Sequence, residues 1–299
     1  MPVIFVFLDG VGLAPTSPHN PLATAATPTL QQLLGGPLTQ EQIQQQPALL
    51  LRAIDTTLGV PGLPQSGTGQ TALLTGVNAP ALVGRHQPYY PPVALRPLLA
   101  ERSIFHQVQT RGLRATFANA FTPGYWQALA DRRLRRTAGV IAAEGAGLRL
   151  RNLDDLRAGH ALMWDITHAL LSRRDPALNI PVIAAQLAGE RLAALAHTHD
   201  LVFFECFLPD LAGHGRLPVS VADVLEWIDG LLAGLLAALR PQDTLLLTSD
   251  HGNIEDCTAA GHTHNPVPLL VVGAAARHFA TVQDSTGVAA GIIAALSSP

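Results

Sequence analysis

The sequence predicts an α/β protein with a mainly parallel sheet flanked by helices, carrying a small cap or insertion. Short apolar runs recur along the chain and end in acidic or polar residues, as buried parallel strands do when they deliver side chains to a site. Segments with apolar residues at helical spacing lie between them. Of 299 residues, 48% are hydrophobic and only 14% charged, enough apolar material for one large core or two modest ones.

In chain order, Val3 to Leu8 is the first strand and ends at Asp9. Gln40 to Gln46 is glutamine-rich and predicts an exposed loop or helix face. Ser103 to Arg111 reads as a helix and Arg114 to Ala120 as a strand. Helical patterns over Ile183 to Ala196 and Val219 to Leu239 bracket a strand over Leu201 to Phe207, which ends near Asp210. Two further strands, Thr244 to Thr248 and Pro268 to Val272, end at Asp250 and Gly273. This alternation implies a parallel sheet with ligands gathering at the carboxyl ends of its strands. Between Thr122 and about Arg174 the pattern becomes irregular. The expected organisation is a core of residues 1–121 and 175–299 with a cap at 122–174.

Composition excludes several functions. All 19 basic residues are arginine, since lysine is absent; Schiff-base lysine chemistry and a lysine-bearing P-loop are therefore excluded. A formal net charge of -3 argues against a nucleic-acid partner. Cys206 and Cys257 are too few for a disulfide framework and read as reduced thiols. The N-terminus lacks the basic segment and cleavage site of a signal peptide. The longest apolar run elsewhere, Leu231 to Leu239, falls far short of the ~20 residues that span a bilayer. These features predict a soluble, cytoplasmic protein with no membrane partner.

Seven residues carry the chemical argument: Asp9, Ser66, Asp210, His214, Asp250, His251 and His262. Singly, a strand-terminal Asp is a common helix cap and a lone His is usually structural. Their combination is more specific. Asp210 and His214 stand four residues apart, with Gly213 allowing the backbone to fold back so that both meet one ion. Asp250 and His251 are neighbours at a strand end, where divergence of their side chains would suit two ions better than one. His262 adds an imidazole ahead of the last strand. Mixed Asp/His ligation fits Zn²⁺ or Mn²⁺ better than Mg²⁺, and two such ions are the usual apparatus of in-line phosphoryl displacement. The segment Pro64-Gln65-Ser66-Gly67-Thr68-Gly69-Gln70-Thr71 reads as a glycine-rich loop that approaches a phosphate and offers hydroxyl nucleophiles.

Taken in order, Asp9-Gly10-Val11-Gly12, Ser66-Gly67-Thr68-Gly69, Asp210…Gly213-His214, Asp250-His251-Gly252-Asn253 and His262-Thr263…Asn265-Pro266-Val267-Pro268 resemble the motifs of the alkaline phosphatase superfamily. Within it the resemblance is to the branch of cofactor-independent phosphoglycerate mutase and phosphopentomutase. Asn20-Pro21, Ala25-Ala26 and Thr27-Pro28-Thr29-Leu30 extend it, and it covers Val3 to Gly76 and Leu201 to Val272. It implies an alkaline phosphatase-like fold and two divalent ions, one on Asp9, Ser66, Asp250 and His251, the other on Asp210, His214 and His262. Ser66 would be the residue phosphorylated during turnover, with Thr68 as the fallback nucleophile.

Gln70 stands where the mutases tend to carry histidine, and the chain is shorter than those mutases between Ser66 and Asp210, where their substrate domain lies. Substrate-binding candidates are Asn20, Gln70, Arg85, His86 and Asn119. The seven arginines between Arg132 and Arg157 would either clamp a phosphate or form a solvated face. His160 and His168 read as structural. The expected activity is di-metal phosphoryl transfer on a small phosphorylated metabolite through a phosphoserine, as a phosphomutase or a phosphatase. The alternatives are a phosphodiesterase or nucleotide pyrophosphatase of the same superfamily, or a catalytically silent metal-binding scaffold. The lack of a Cys/Ser-x-Pro-x-Arg setting argues against a sulfatase. Oligomeric state is not encoded in these motifs.

Overall fold

Val3–Leu8, the first strand (β1), is buried along its whole length, which is why it reads as an unbroken apolar run. In the computed structural model, which describes residues 1–298, it lies near the centre of a seven-stranded sheet. The other strands are β2 (Gln44–Gln46), β3 (Leu49–Ile54), β4 (Ala115–Phe117), β5 (Leu201–Cys206), β6 (Thr244–Thr248) and β7 (Val267–Val272). Their spatial order is β2-β3-β7-β6-β1-β5-β4. β4, β5, β1 and β6 run parallel, whereas β7, β3 and β2 extend the sheet with antiparallel pairings. The sheet is therefore mixed, parallel at its centre, with one antiparallel flank that the sequence pattern did not reveal. Gln44–Gln46, expected as loop or helix face, is the edge strand β2 and follows a short 3₁₀ turn at Gln40–Gln42.

Alternation along β1 sorts the core into two layers. Val3, Phe5 and Phe7 face one layer, together with helices Ser66–Thr75, Ile104–Gln109, Ala138–Gly145 and Gly287–Leu296. Phe203 on β5 anchors that layer, with ring centroids 5.1 Å from Phe5, 5.4 Å from Phe117 and 5.6 Å from Phe105. Ile4, Val6 and Leu8 face the other layer, covered by helices Ala185–Leu195 and Val221–Ala238. These two helices lie in intimate contact, since a Cβ on Gly189 or Gly234 would fall inside the facing backbone.

Residues 122–174, expected as a cap, divide between two places. Helix Ala138–Gly145 is buried in the first layer against helices Arg96–Arg102 and Ile104–Gln109. Leu153, Leu156, Ala161 and Met163 instead form a small separate cluster with Ala120 and Ile180. The arginines here serve local structure: Arg133, Arg136, Arg149 and Arg157 pair with Asp131, Glu144, Asp155 and Asp154, and Arg151 donates to Thr116 Oγ1. Such exposed pairs contribute little to stability, and the segment reads as a solvated face. Among the described residues no helix is long and apolar enough to cross a membrane.

Candidate metal centre and nucleophile

Parallel register sets up the site. Leu8 lies beside Cys206, and Phe7 beside Thr248, so the residues that follow β1, β5 and β6 emerge at one edge of the sheet. Beyond the strands the ladder continues: Asp9 N–H donates to the Cys206 carbonyl (3.0 Å) and Asp210 N–H to the Asp9 carbonyl (3.1 Å). Gly10 permits this approach, with φ of +74° and room for no Cβ, which would sit 2.8 Å from that of Asp210.

Asp250 and His251 do not diverge. They lie in a bend past the end of β6, where strand alternation no longer applies, and Asp250 Oδ2 is 3.7 Å from His251 Nε2. The same nitrogen is 3.2 Å from Asp9 Oδ1 and 3.0 Å from Ser66 Oγ. Asp210 Oδ1 is 3.3 Å from His214 Nε2 and 3.4 Å from His262 Nε2. The rings of His251 and His262 stack with centroids 3.7 Å apart, joining the two groups. All seven residues expected at the site thus meet in one cluster.

The donor set fits divalent cations. The atoms of Asp9, Asp250 and His251 lie within 4.8 Å of one another, as do those of Asp210, His251 and His262. Asp250 Oδ1 is buried and accepts no hydrogen bond, and the cationic partners of these carboxylates are histidines only. Buried acids gathered in this way need compensating charge. Burial and the neighbouring Asp250 push Asp9 up to about 8, and burial likewise raises Asp250. Burial disfavours the His251 cation, yet Asp250 and Asp9 outweigh it and raise the imidazole to about 10. At Asp210 burial is outweighed by the hydrogen bond to His262, the charge of His251 and the Asn253 amide, holding it at about 2. The other ring nitrogen of His262 donates to the Pro64 carbonyl (2.9 Å), which orients Nε2 toward Asp210.

Supporting residues that sequence reasoning did not single out surround this cluster. The buried Glu255 carboxylate accepts from Gly12 N–H (2.9 Å), Asn253 N–H (2.8 Å), Asn265 Nδ2 (3.0 Å) and the Thr263 hydroxyl. It binds together the segments that carry Asp9, His251 and His262. Asn253 Nδ2 donates to Asp210 Oδ1 (2.7 Å). Glu205, at the end of β5, is buried under Gly139 with only Thr137 Oγ1 (3.2 Å) against its carboxylate; burial pushes it up to about 8. An acidic residue on a strand or inside a ligand segment has no spacing that announces such a role.

The Pro64–Thr71 segment is not a loop. Ser66–Thr75 is a wholly buried helix with Ser66 in its first turn, so the unpaired N–H groups and positive end of the helix point where a phosphate would sit. Thr68, the fallback nucleophile, is fully buried; its hydroxyl donates to the Gln65 carbonyl and accepts from Gln87 N–H (3.1 Å). A cavity of about 160 Å³ opens above Ser66, lined by Leu63, Gln65, Tyr89, Asp210, His214 and His262.

None of the five substrate-binding candidates reaches this cavity. Asn20 caps helix Pro21–Thr24 and donates to the Pro15 carbonyl. Arg85 bonds Gln87, and His86 the Val60 carbonyl. Asn119 exchanges hydrogen bonds with the backbone of Glu205. Gln70 lies beneath the site, donating to Asp9 Oδ2 (3.0 Å) and Asp250 Oδ2 (3.3 Å). Each has a hydrogen-bond partner in the backbone or a neighbouring side chain.

Comparison with known proteins agrees with this geometry. The family model described as Metalloenzyme superfamily matches residues 181–296. Phosphopentomutase from Chromohalobacter salexigens is 48% identical over 87 residues, 29% of this chain and 19% of that protein. The 2,3-bisphosphoglycerate-independent phosphoglycerate mutase of Rhodopseudomonas palustris is 38% identical over 104 residues, 31% of this chain and 20% of that protein. The matches thus span about a fifth of the length of these relatives. In fold, the chain is similar to a cold-active alkaline phosphatase from a psychrophilic Shewanella, with a TM-score of 0.58, 14% identity and full coverage of both chains. The chain thus carries a segment similar to the Metalloenzyme superfamily over residues 181–296 and has an alkaline phosphatase-like fold.

Proposed function

We propose that this chain is a di-metal phosphoryl-transfer enzyme acting on a small phosphorylated metabolite through a phosphoserine at Ser66. The observation that carries the reading is the position of Ser66 Oγ, 3.0 Å from His251 Nε2 at the N-terminus of a buried helix. Asp9, Ser66, Asp250 and His251 would hold one cation and Asp210, His214 and His262 the other, Mn²⁺ or Zn²⁺ on the mixed oxygen and nitrogen donors. When bound, such ions supply Lewis acidity toward a phosphoryl oxygen and acidify the serine hydroxyl. Ser66 Oγ then forms a bond to phosphorus, the ester P–O bond breaks, and the departing alkoxide takes a proton to leave as the alcohol. First-turn N–H groups of the Ser66–Thr75 helix orient the phosphoryl oxygens.

The mouth of the cavity favours water as the acceptor in the second half of the reaction. Tyr89 is 62% exposed and Leu63 38% exposed at its rim, and the helix Ala138–Gly145, within the segment expected as a cap, is buried in the core. Elemental analysis after loading with Mn²⁺ or Zn²⁺ should give two ions per chain. Incubation with a phosphate ester followed by mass spectrometry should find phosphate on the peptide spanning Val60 to Thr75, absent in Ser66→Ala. Phosphate on Thr68, or full turnover by Ser66→Ala, would overturn the assignment.

A further inference from the structure

The cavity above Ser66 has a chemical bias of its own. Its floor is the site already described; its walls are Leu63, Gln65 and Tyr89. No arginine lines it: Arg85 is turned to Gln87, and Arg216, two residues from the lining His214, is exposed. A second anionic group on a substrate would lose its hydration there without gaining a partner. At about 160 Å³ the space compares with an apolar cavity of about 150 Å³ that accepts a benzene ring.

Tyr89 is not a casual surface aromatic. Its φ is +59°, a left-handed conformation that a side-chain-bearing residue adopts only where its surroundings enforce it. Enforcement comes from the nucleophile helix. Gln87 N–H is held by the Thr68 hydroxyl, and Gly67 is approached so closely that a Cβ there would lie 2.6 Å from the Tyr90 carbonyl oxygen and 2.7 Å from that of Gln87. The residues on both sides of Tyr89 therefore rest on the residue that follows Ser66. The residue is 62% exposed while lining the cavity, the disposition of an aromatic that offers a face to a ligand.

We infer that this cavity selects phosphate esters whose carried group is flat and uncharged, an aryl or heteroaryl group packed against Tyr89 and Leu63. The inference rests on the phosphoryl-transfer reading for its chemistry and on the cavity walls for its selectivity. Benzyl phosphate, ethyl phosphate and phosphoglycolate are suitable probes, since all three release an alkoxide and differ in what they carry. With the metal-loaded protein, kcat/KM for benzyl phosphate should exceed that of the other two at least tenfold. The benzyl-to-ethyl ratio should collapse toward one in Tyr89→Ala, through KM, and persist in Tyr89→Phe. Calorimetry with benzylphosphonate and ethylphosphonate, which have no ester bond to break, should show the same preference in Kd. Equal Kd values, a ratio untouched by Tyr89→Ala, or a preference for phosphoglycolate would overturn the inference. Preferential benzylphosphonate binding without any turnover would instead uphold the cavity assignment and refute the phosphoryl-transfer reading.

Discussion

Gln70 shows how far one side chain can be from the role its position suggests. In sequence it stands among glycines and hydroxyls, where contact with phosphate is the natural expectation; in the structure it is buried beneath the site and bonded to both Asp9 and Asp250. Its amide fixes which oxygens of those carboxylates turn inward. Gln70→Leu should weaken metal binding by about 10–100-fold, the usual effect of losing a residue that orients ligands, as read by chelator competition. Unchanged affinity would reduce Gln70 to a space filler. Glu205 yields a prediction of opposite sign to that of a carboxylate held low by its partners, such as Asp210. Its carboxyl is raised from 4.5 to about 8 by burial. Below pH 4.5 it is protonated whether the chain is folded or not; from there to pH 8 only the unfolded chain ionises it, so stability falls as pH rises through that window. Glu205→Gln in chelated protein should therefore gain Tm relative to wild type as pH goes from 5 to 8. Parallel melting curves over that range would refute it.

Among the secondary-structure elements, the apolar strands β1, β4, β5, β6 and β7 were legible, whereas β2, β3 and the Ser66–Thr75 helix at the site were not. β1, β5 and β6 announce themselves because central parallel strands are apolar on both faces and their acids come at their ends. β2 and β3 lack that signature: β2 is three glutamines at a sheet edge, and β3 carries Arg52, whose guanidinium reaches the Ala280 carbonyl. The ligand residues were legible for the same reason as their strands. For Asn20, Arg85, His86 and Asn119 a polar residue type does not say which way it points; all four bond nearby backbone or side-chain partners. The pairing of helices Ala185–Leu195 and Val221–Ala238 belongs to this scale as well. Gly234 abuts the Gln186 carbonyl and Gly189 that of Leu231, so the interface depends on two missing side chains. Gly234→Ala should cost about 1–3 kcal/mol by overpacking and lower the chelated protein's Tm by several degrees, with little change in metal affinity.

For the molecule as a whole, metal and fold are thermodynamically linked. Cations that bind only the folded cluster add RT ln(1 + [L]/Kd), about 2.7 kcal/mol at a hundredfold excess over Kd. Chelation should lower the Tm by roughly 5–10 °C on the usual scaling for a chain of this size; an unchanged Tm would mean that the cluster does not take up the ion tested. The junction at Glu255 adds a temporal dimension. That carboxylate joins Gly12, 243 positions away, to Asn253, Thr263 and Asn265, and the cluster draws Asp9 and Ser66 from one end of the sequence and Asp250 and His262 from the other. Closing so long a loop is among the slow steps of folding. During synthesis, the ribosome must release β6 and the bend after it before Asp9 and Asp250 can share an ion. Acquisition of the metal thus marks the end of folding, and a nascent chain that stalls before Asp250 offers solvent only scattered acids.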